Sequence, residues 1–122
     1  MSKIKLTSFS YCREQPKTPF VFDCRFLPNP WKTRYLKSLD GRDEAVQEWL
    51  RGYPSVRALV DEAIAAIKSS GTQHAAFGCY GGHHRSVAVV EMVADALGRE
   101  NVEIDHTNLD KSNDHPDVPS QH

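Results

Sequence analysis

The chain has 122 residues, 39% of them hydrophobic and 25% charged, with a formal net charge of −1. That length supports one domain with a real core, and the near-neutral balance excludes a global electrostatic footprint for nucleic acid while leaving a local basic patch open. No apolar run approaches the roughly 18 residues of a membrane span, and MSKIKLTSFSY has polar residues where a signal peptide is continuously apolar, so a cytoplasmic protein is expected.

In chain order, Ile4, Leu6 and Ser8 alternate with Lys3, Lys5 and Thr7, which predicts an opening strand with one polar face. PKTP at 16–19 breaks the chain, and FVFDC at 20–24 reads as a short buried strand. Pro28 and Pro30 in the following RFLPNPW exclude a helix or a central strand there. After a second break at SLDGRD, Ala45, Val46, Trp49 and Leu50 fit one face of a helix from Asp43 to Leu50 that Gly52 closes. Val56, Leu59, Val60, Ala63, Ile64 and Ile67 line the stripe of a longer helix, with Pro54 or Ser55 at its start and Gly71 at its stop. HAAFGC at 74–79, between that helix and a glycine-rich turn, is read as a buried strand. A helix from Ser86 to Leu97 is apolar around most of its girth and is expected to be well buried, with Gly98 ending it. NVEIDH at 101–106 reads as the last strand, with Val102 and Ile104 inward, and residues 111–122 as a polar, disordered tail after a domain spanning 1–110. Cys12, Cys24 and Cys79 form no disulfide framework, and Cys12 and Cys24 read as small buried hydrophobes.

The strand, glycine-rich loop and helix over 74–97 give the stretch GCYGGHHRSV (78–87) its chemical meaning. The first turn of a helix exposes N–H groups without intrahelical partners, and their dipole favours an anion. Gly81 and Gly82 allow a sharp turn whose N–H groups converge on phosphate oxygens, Arg85 offers a charged fork, and Ser86 offers a hydroxyl and a helix cap. Tyr80, His83 and His84 complete this candidate phosphate loop. Adjacent histidines on such a turn point apart, so no metal site is expected, and no cofactor is implied.

Cys79 and Arg85 also have the Cys-x5-Arg spacing of cysteine phosphatases, in which a thiolate attacks phosphorus. Gly78 stands where that family typically has His. A phosphatase also needs a general acid, for which Asp23 at a strand end is the candidate, with a structural carboxylate bonded to Arg25 as its other reading.

Together, FDCRFLPNP (22–30) and GCYGGHHRSVAVVEMVADAL (78–97) resemble the C-terminal domain of the RNase adapter protein RapZ family, whose members carry FD-x-RFLPNP and then GC-x-GG-x-HRS-V. The order continues through LDG at 39–41 and NVEIDH at 101–106, so the resemblance covers nearly all of residues 3–111. It implies an α/β domain that binds glucosamine-6-phosphate, binds a small regulatory RNA, presents it to an endoribonuclease and helps build a homo-oligomer. Fuller family members also carry an N-terminal P-loop domain. No GxxxxGK[ST] occurs here, so a stand-alone C-terminal half without ATP binding is expected.

By this resemblance Cys79, Gly81, Gly82, His84, Arg85 and Ser86 match the family's loop, and Asp23, Arg25 and Asn29 match its other motif. Tyr80 stands where a relative has Thr, and His83 replaces a Lys, so a fixed charge becomes titratable. Trp31 takes the place of a ligand-contacting His; it can stack on a sugar but accepts no hydrogen bond. For RNA, Asp105-His106-Thr107 replaces an Arg-His-Arg stretch, which removes phosphate contacts. Lys32, Arg34 and Lys37, interleaved with Trp31 and Tyr35, are the remaining candidates, with Arg42 and Arg51 beyond them.

The expectation is therefore a single three-layer-like α/β domain with a small, mostly parallel or mixed sheet. Its function is read as a non-catalytic module for a phosphorylated amino sugar or another phosphometabolite. A small-RNA adapter and a cysteine phosphatase remain the alternatives.

Overall fold

A computed structural model describes residues 3–109, and the predicted tail lies outside them. The elements are β1 (Ile4–Ser10), β2 (Val21–Asp23), α1 (Glu44–Arg51), α2 (Pro54–Ser70), β3 (His74–Cys79), α3 (Arg85–Leu97) and β4 (Val102–His106). Short 3-10 turns occupy Pro30–Lys32, Arg34–Leu36 and Arg99–Asn101. The chain is an α/β domain with a four-stranded sheet in the order β2-β3-β1-β4. Every neighbouring pair is parallel, in the registers Lys5↔His74, Lys5↔Glu103 and Phe22↔Phe77.

The opening strand carries the expected polar face, with Lys5 and Thr7 lying beside His74 and Asp105. β1 lies between β3 and β4, so both of its edges are paired, and its hydroxyls are nevertheless buried. Thr7 is 2% exposed, and Ser8 and Ser10 are fully buried. Each finds a polar partner, as buried hydroxyls must. Thr7 Oγ1 lies 3.0 Å from His74 Nε2, Ser8 Oγ lies 2.7 Å from His106 Nδ1, and the Ser10 hydroxyl donates to the Tyr80 carbonyl.

α3 is the central layer. It packs on β1, β3 and β4, and α1 and α2 pack on it in turn. Its residues Arg85 to Ala94 are all buried, which is why its sequence is apolar around most of its girth. Leu6, Phe77, Val89, Val90 and Val93 meet in the core without exposure. Each such burial contributes about 1.5–3 kcal/mol. α2 starts with Pro54 in its first turn and stops at Gly71, whose φ of 70° is left-handed and whose N–H donates to Ile67 O at 3.2 Å.

Two local readings change. The proline-rich segment is not free of helix, because Pro30 opens a 3-10 turn, where its missing N–H costs nothing. Cys24 is fully buried as expected, whereas Cys12 is only half-buried on the connection leaving β1.

Because all four strands run the same way, their C-terminal ends gather on one side of the sheet, where ligands collect in open α/β folds. Ser10, Asp23, Cys79 and His106 end the strands there.

Candidate functional site

Residues 79–86 leave β3 and enter α3 as a loop held at several points. Cys79 is 2% exposed, its Sγ accepting from Gly82 N at 3.3 Å and lying 3.2 Å from Ser86 Oγ. The thiol is thus folded beneath the turn. Gly82 has a φ of 71°, and a Cβ there would stand 3.0 Å from Asn108 Cβ and 3.2 Å from Ser10 N. Left-handed backbone and close approach both require glycine at this point. Farther on, the His83 carbonyl accepts from Gly41 N at 2.8 Å, and His83 Nε2 donates to the Asn108 carbonyl at 2.7 Å.

α3 begins at Arg85 with His84 as its N-cap, and the His84 side chain makes no capping bond. Ser86 lies inside the first turn and gives its hydroxyl to the Cys79 contact, so the cap assigned to it from sequence is not formed. No side chain caps the start of α3 and no acidic residue lies in its first turn, so the helix dipole is uncompensated there. Arg85 is 5% exposed; one arm of its fork, NH1, donates to Arg25 O at 2.8 Å and Leu27 O at 3.3 Å. That arm ties the loop after β2 to the helix start.

His84 is 7% exposed, and its Nε2 has no hydrogen-bond partner among the described residues. The Trp31 ring meets it edge-on at 5.9 Å. Burial, first, holds its imidazole below the usual value, and His83 and Arg85 add to this. A depressed folded pKa stabilises the protein above the ordinary imidazole range and loses that contribution as pH falls. Without ligand, the protein is therefore expected to lose stability on acidification from about pH 6.5, before carboxylates titrate. Urea unfolding across pH 4.5–7.5 checks this. His84→Gln should flatten the part of the slope between pH 6.5 and 5, and an unchanged slope would overturn the assignment.

Asp23 accepts from Arg25 N at 2.9 Å, Nε at 3.0 Å and NH2 at 2.7 Å. These bonds hold its carboxyl below the usual range. A carboxylate so held is a poor general acid at neutral pH. The Arg25 guanidinium lies 3.9 Å from the Tyr11 ring centroid and 5.7 Å from that of Tyr80, and so bridges the two motifs. Asn29 Oδ1 accepts from Trp31 N at 3.0 Å and shapes the turn that presents the indole.

The structure thus brings Asp23, Arg25 and Trp31 to the loop of Tyr80, Gly81, Gly82, His83, His84, Arg85 and Ser86. Lys32, Arg34 and Lys37 lie on the exposed 3-10 turns beyond Trp31, with Lys37 Nζ 5.1 Å from its ring. Sequence reasoning missed three residues of the scaffold: Ser10, Gly41 and Asn108. Only Gly41, within LDG, carried a signal. Among the described residues no group of His, Cys, Asp and Glu is arranged to hold a metal, and no helix is long and apolar enough to cross a membrane.

A family model described as the RapZ C-terminal domain matches residues 2–110. Curated relatives include a nucleotide-binding protein of Ruegeria pomeroyi, 40% identical over 91% of this chain and 43% of its own length. Another, from Cereibacter sphaeroides, is 42% identical over 77% of this chain and 34% of its own length. A third, from Dinoroseobacter shibae, is 39% identical over 89% of this chain and 40% of its own. The chain thus spans less than half the length of the relatives it matches.

Proposed function

The chain belongs to the RapZ C-terminal domain family, and on that premise we propose that it is a non-catalytic regulatory module whose 79–86 loop holds a phosphorylated metabolite of the glucosamine-6-phosphate type. The observation that carries this reading is the uncapped start of α3 beside a buried His84 Nε2 without a partner. The other ring nitrogen bonds the Leu39 backbone, so in the neutral ring Nε2 is an acceptor; left unsatisfied it costs about 1–3 kcal/mol, and a ligand hydroxyl or ammonium donating to it would relieve it. The first-turn amides and the Nε and NH2 arms of Arg85 take the phosphate. Trp31 and Tyr80 form the walls on which a sugar ring stacks.

A second reading, an adapter that presents small RNA to an endoribonuclease, draws on the exposed aromatics. Phe26 is 86% and Tyr35 67% exposed, and Lys32, Arg34 and Lys37 lie among them. Base stacking and phosphate contacts would both be available there.

Heteronuclear NMR titrations with glucosamine-6-phosphate, glucose-6-phosphate and inorganic phosphate test the first reading. Amides of Gly81, Gly82, Arg85 and Ser86 should shift most tightly with the amino sugar. Equal, weak shifts with all three would sink the sensor reading, and saturable RNA binding with a steep salt dependence would favour the second. Cys79→Ser is expected to bind the amino-sugar phosphate within about threefold of wild type, a difference under 1 kcal/mol. A phosphate-release assay on wild type should stay flat. Turnover that Cys79→Ser abolishes would instead make Cys79 a nucleophile.

A further inference from the structure

The sheet face turned away from α3 carries a second polar hollow of about 600 Å³, a volume suited to a small molecule. Its floor is set by strand alternation and register: Lys5 and Thr7 of β1, His74 of β3 and Asp105 of β4 lie on one face. Thr107 and Asn108 continue that wall past the end of β4. The segment 13–17, which carries the chain from β1 toward β2, forms the opposite wall with Arg13, Glu14 and Lys17.

The lining has both signs of charge. Lys5, Arg13 and Lys17 stand against Glu14 and Asp105, an excess of one cation. His74 adds no charge at neutral pH, since burial and the nearby Lys5 hold its imidazole below the usual value. Lys5 Nζ and Asp105 Oδ2 are 3.8 Å apart and 45% exposed each, a loose pair whose loss costs little when a ligand separates it. Thr7, by contrast, is buried and oriented by its contact with His74 Nε2, so the floor is rigid.

We propose that this hollow is a binding site for a small dipolar acid, with two anionic groups and one ammonium, for which an acidic amino acid is the simplest member. The anionic groups face Lys17, Arg13 and Lys5, and the ammonium faces Asp105 and the Thr107 hydroxyl. Such a ligand complements both the signs and the net charge of the lining.

The hollow also shares a wall with the scaffold of the phosphate loop. Thr107 Oγ1 shares its one proton between the Ser8 carbonyl at 2.8 Å and Asn108 Oδ1 at 3.1 Å, and the same Oδ1 accepts from Ser10 N at 2.7 Å. The Asn108 carbonyl holds His83, and its Cβ abuts Gly82. A ligand that draws on Thr107 therefore acts on the loop through Asn108. This coupling rests on the phosphate reading; binding in the hollow does not.

The test is an NMR titration of the full chain, without phosphate, using L-glutamate, L-glutamine and glutarate. Glutamate should shift the amides of Thr7, Glu14, Lys17, Asp105 and Thr107 saturably, at lower concentration than the other two. Lys17→Ala, on the surface, and Asp105→Asn, in a half-exposed position, should each weaken glutamate about three- to tenfold, the loss of one charged contact. Equal shifts with all three compounds, no shifts, or no effect of either substitution would overturn the site. A repeat with inorganic phosphate present tests the coupling. Saturating glutamate should change phosphate affinity by about fivefold or more, with the reciprocal change in glutamate affinity. Unaltered phosphate affinity would remove the coupling and leave the site, whereas absence of phosphate binding would remove the phosphate reading alone.

Discussion

Gly41→Ala is expected to destabilise the protein by about 3 kcal/mol or more, at the upper end of overpacking effects, despite adding only one methyl group. Gly41 is held on both sides: its N–H donates to the His83 carbonyl at 2.8 Å, and its carbonyl accepts from Gln47 Nε2 at 2.9 Å. A Cβ would stand 2.5 Å from His84 O and 2.7 Å from Val87 Cβ, and closer still to the Ala88 nitrogen. Two of these neighbours are backbone atoms of the α3 entry, which also bond each other, Ala88 N donating to His84 O at 2.9 Å. Neither can move without opening the first turn of the helix. The strain should therefore reach the phosphate loop and lower phosphate affinity about tenfold or more, because 1.4 kcal/mol is enough for that. Gly71→Ala is the control. Unlike Gly41 it is left-handed, but nothing lies within 4 Å of its Cβ, so it should cost only about 1 kcal/mol. Urea unfolding of both variants decides the matter. A Gly41→Ala protein as stable as wild type would mean that residues 39–41 are not locked onto α3.

Arg85→Ala is expected to cost about 3 kcal/mol and to abolish measurable binding of the phosphorylated sugar. Stability falls because NH1 satisfies the carbonyls of Arg25 and Leu27, and truncation leaves both without that donor. Binding falls because the remaining arms of the fork disappear and the loop after β2 is released from the helix start. Arg85→Lys separates the two effects. It keeps the charge but not the planar fork, so it should recover about half of the lost stability and little of the binding. Thermal or urea unfolding measured beside calorimetric titration with glucosamine-6-phosphate gives both numbers. A stable Arg85→Ala protein that fails to bind would confine Arg85 to the ligand. An unstable one that still binds would confine it to the scaffold.

The element order was largely legible in the sequence because its signals are local. The apolar spacing over Val56–Ile67 marks α2, and Gly71 marks its stop. HAAFGC followed by GG and a hydrophobic run marks strand, loop and buried helix. The pairing order was not legible. That β1 would sit between β3 and β4 depends on contacts across the whole chain, and no periodicity within SFS announces that its hydroxyls are buried. The loop motif was legible as a set of residue types, since glycine, arginine and a helix start suit an anion wherever they occur. How the set is held was not. Asn108 sits in a turn with no motif, yet its side chain and carbonyl reach Ser10 and His83. Sequence leaves Asp23 between a candidate acid and, more readily, a structural carboxylate bonded to the backbone or, through a fork, to Arg25. The distances show the fork, and with it a carboxylate held in its charged form.

The sequence by itself determined the α/β class, the strand-loop-helix unit and the family, because these depend on residue type and spacing along the chain. Only the tertiary structure decided which polar groups are buried, which carbonyls Arg85 holds, and that a second polar hollow lies on the far face of the sheet. Those features arise where segments distant in sequence meet. Hydrogen bonding and desolvation there depend on distances of a few tenths of an ångström, which residue order does not encode locally.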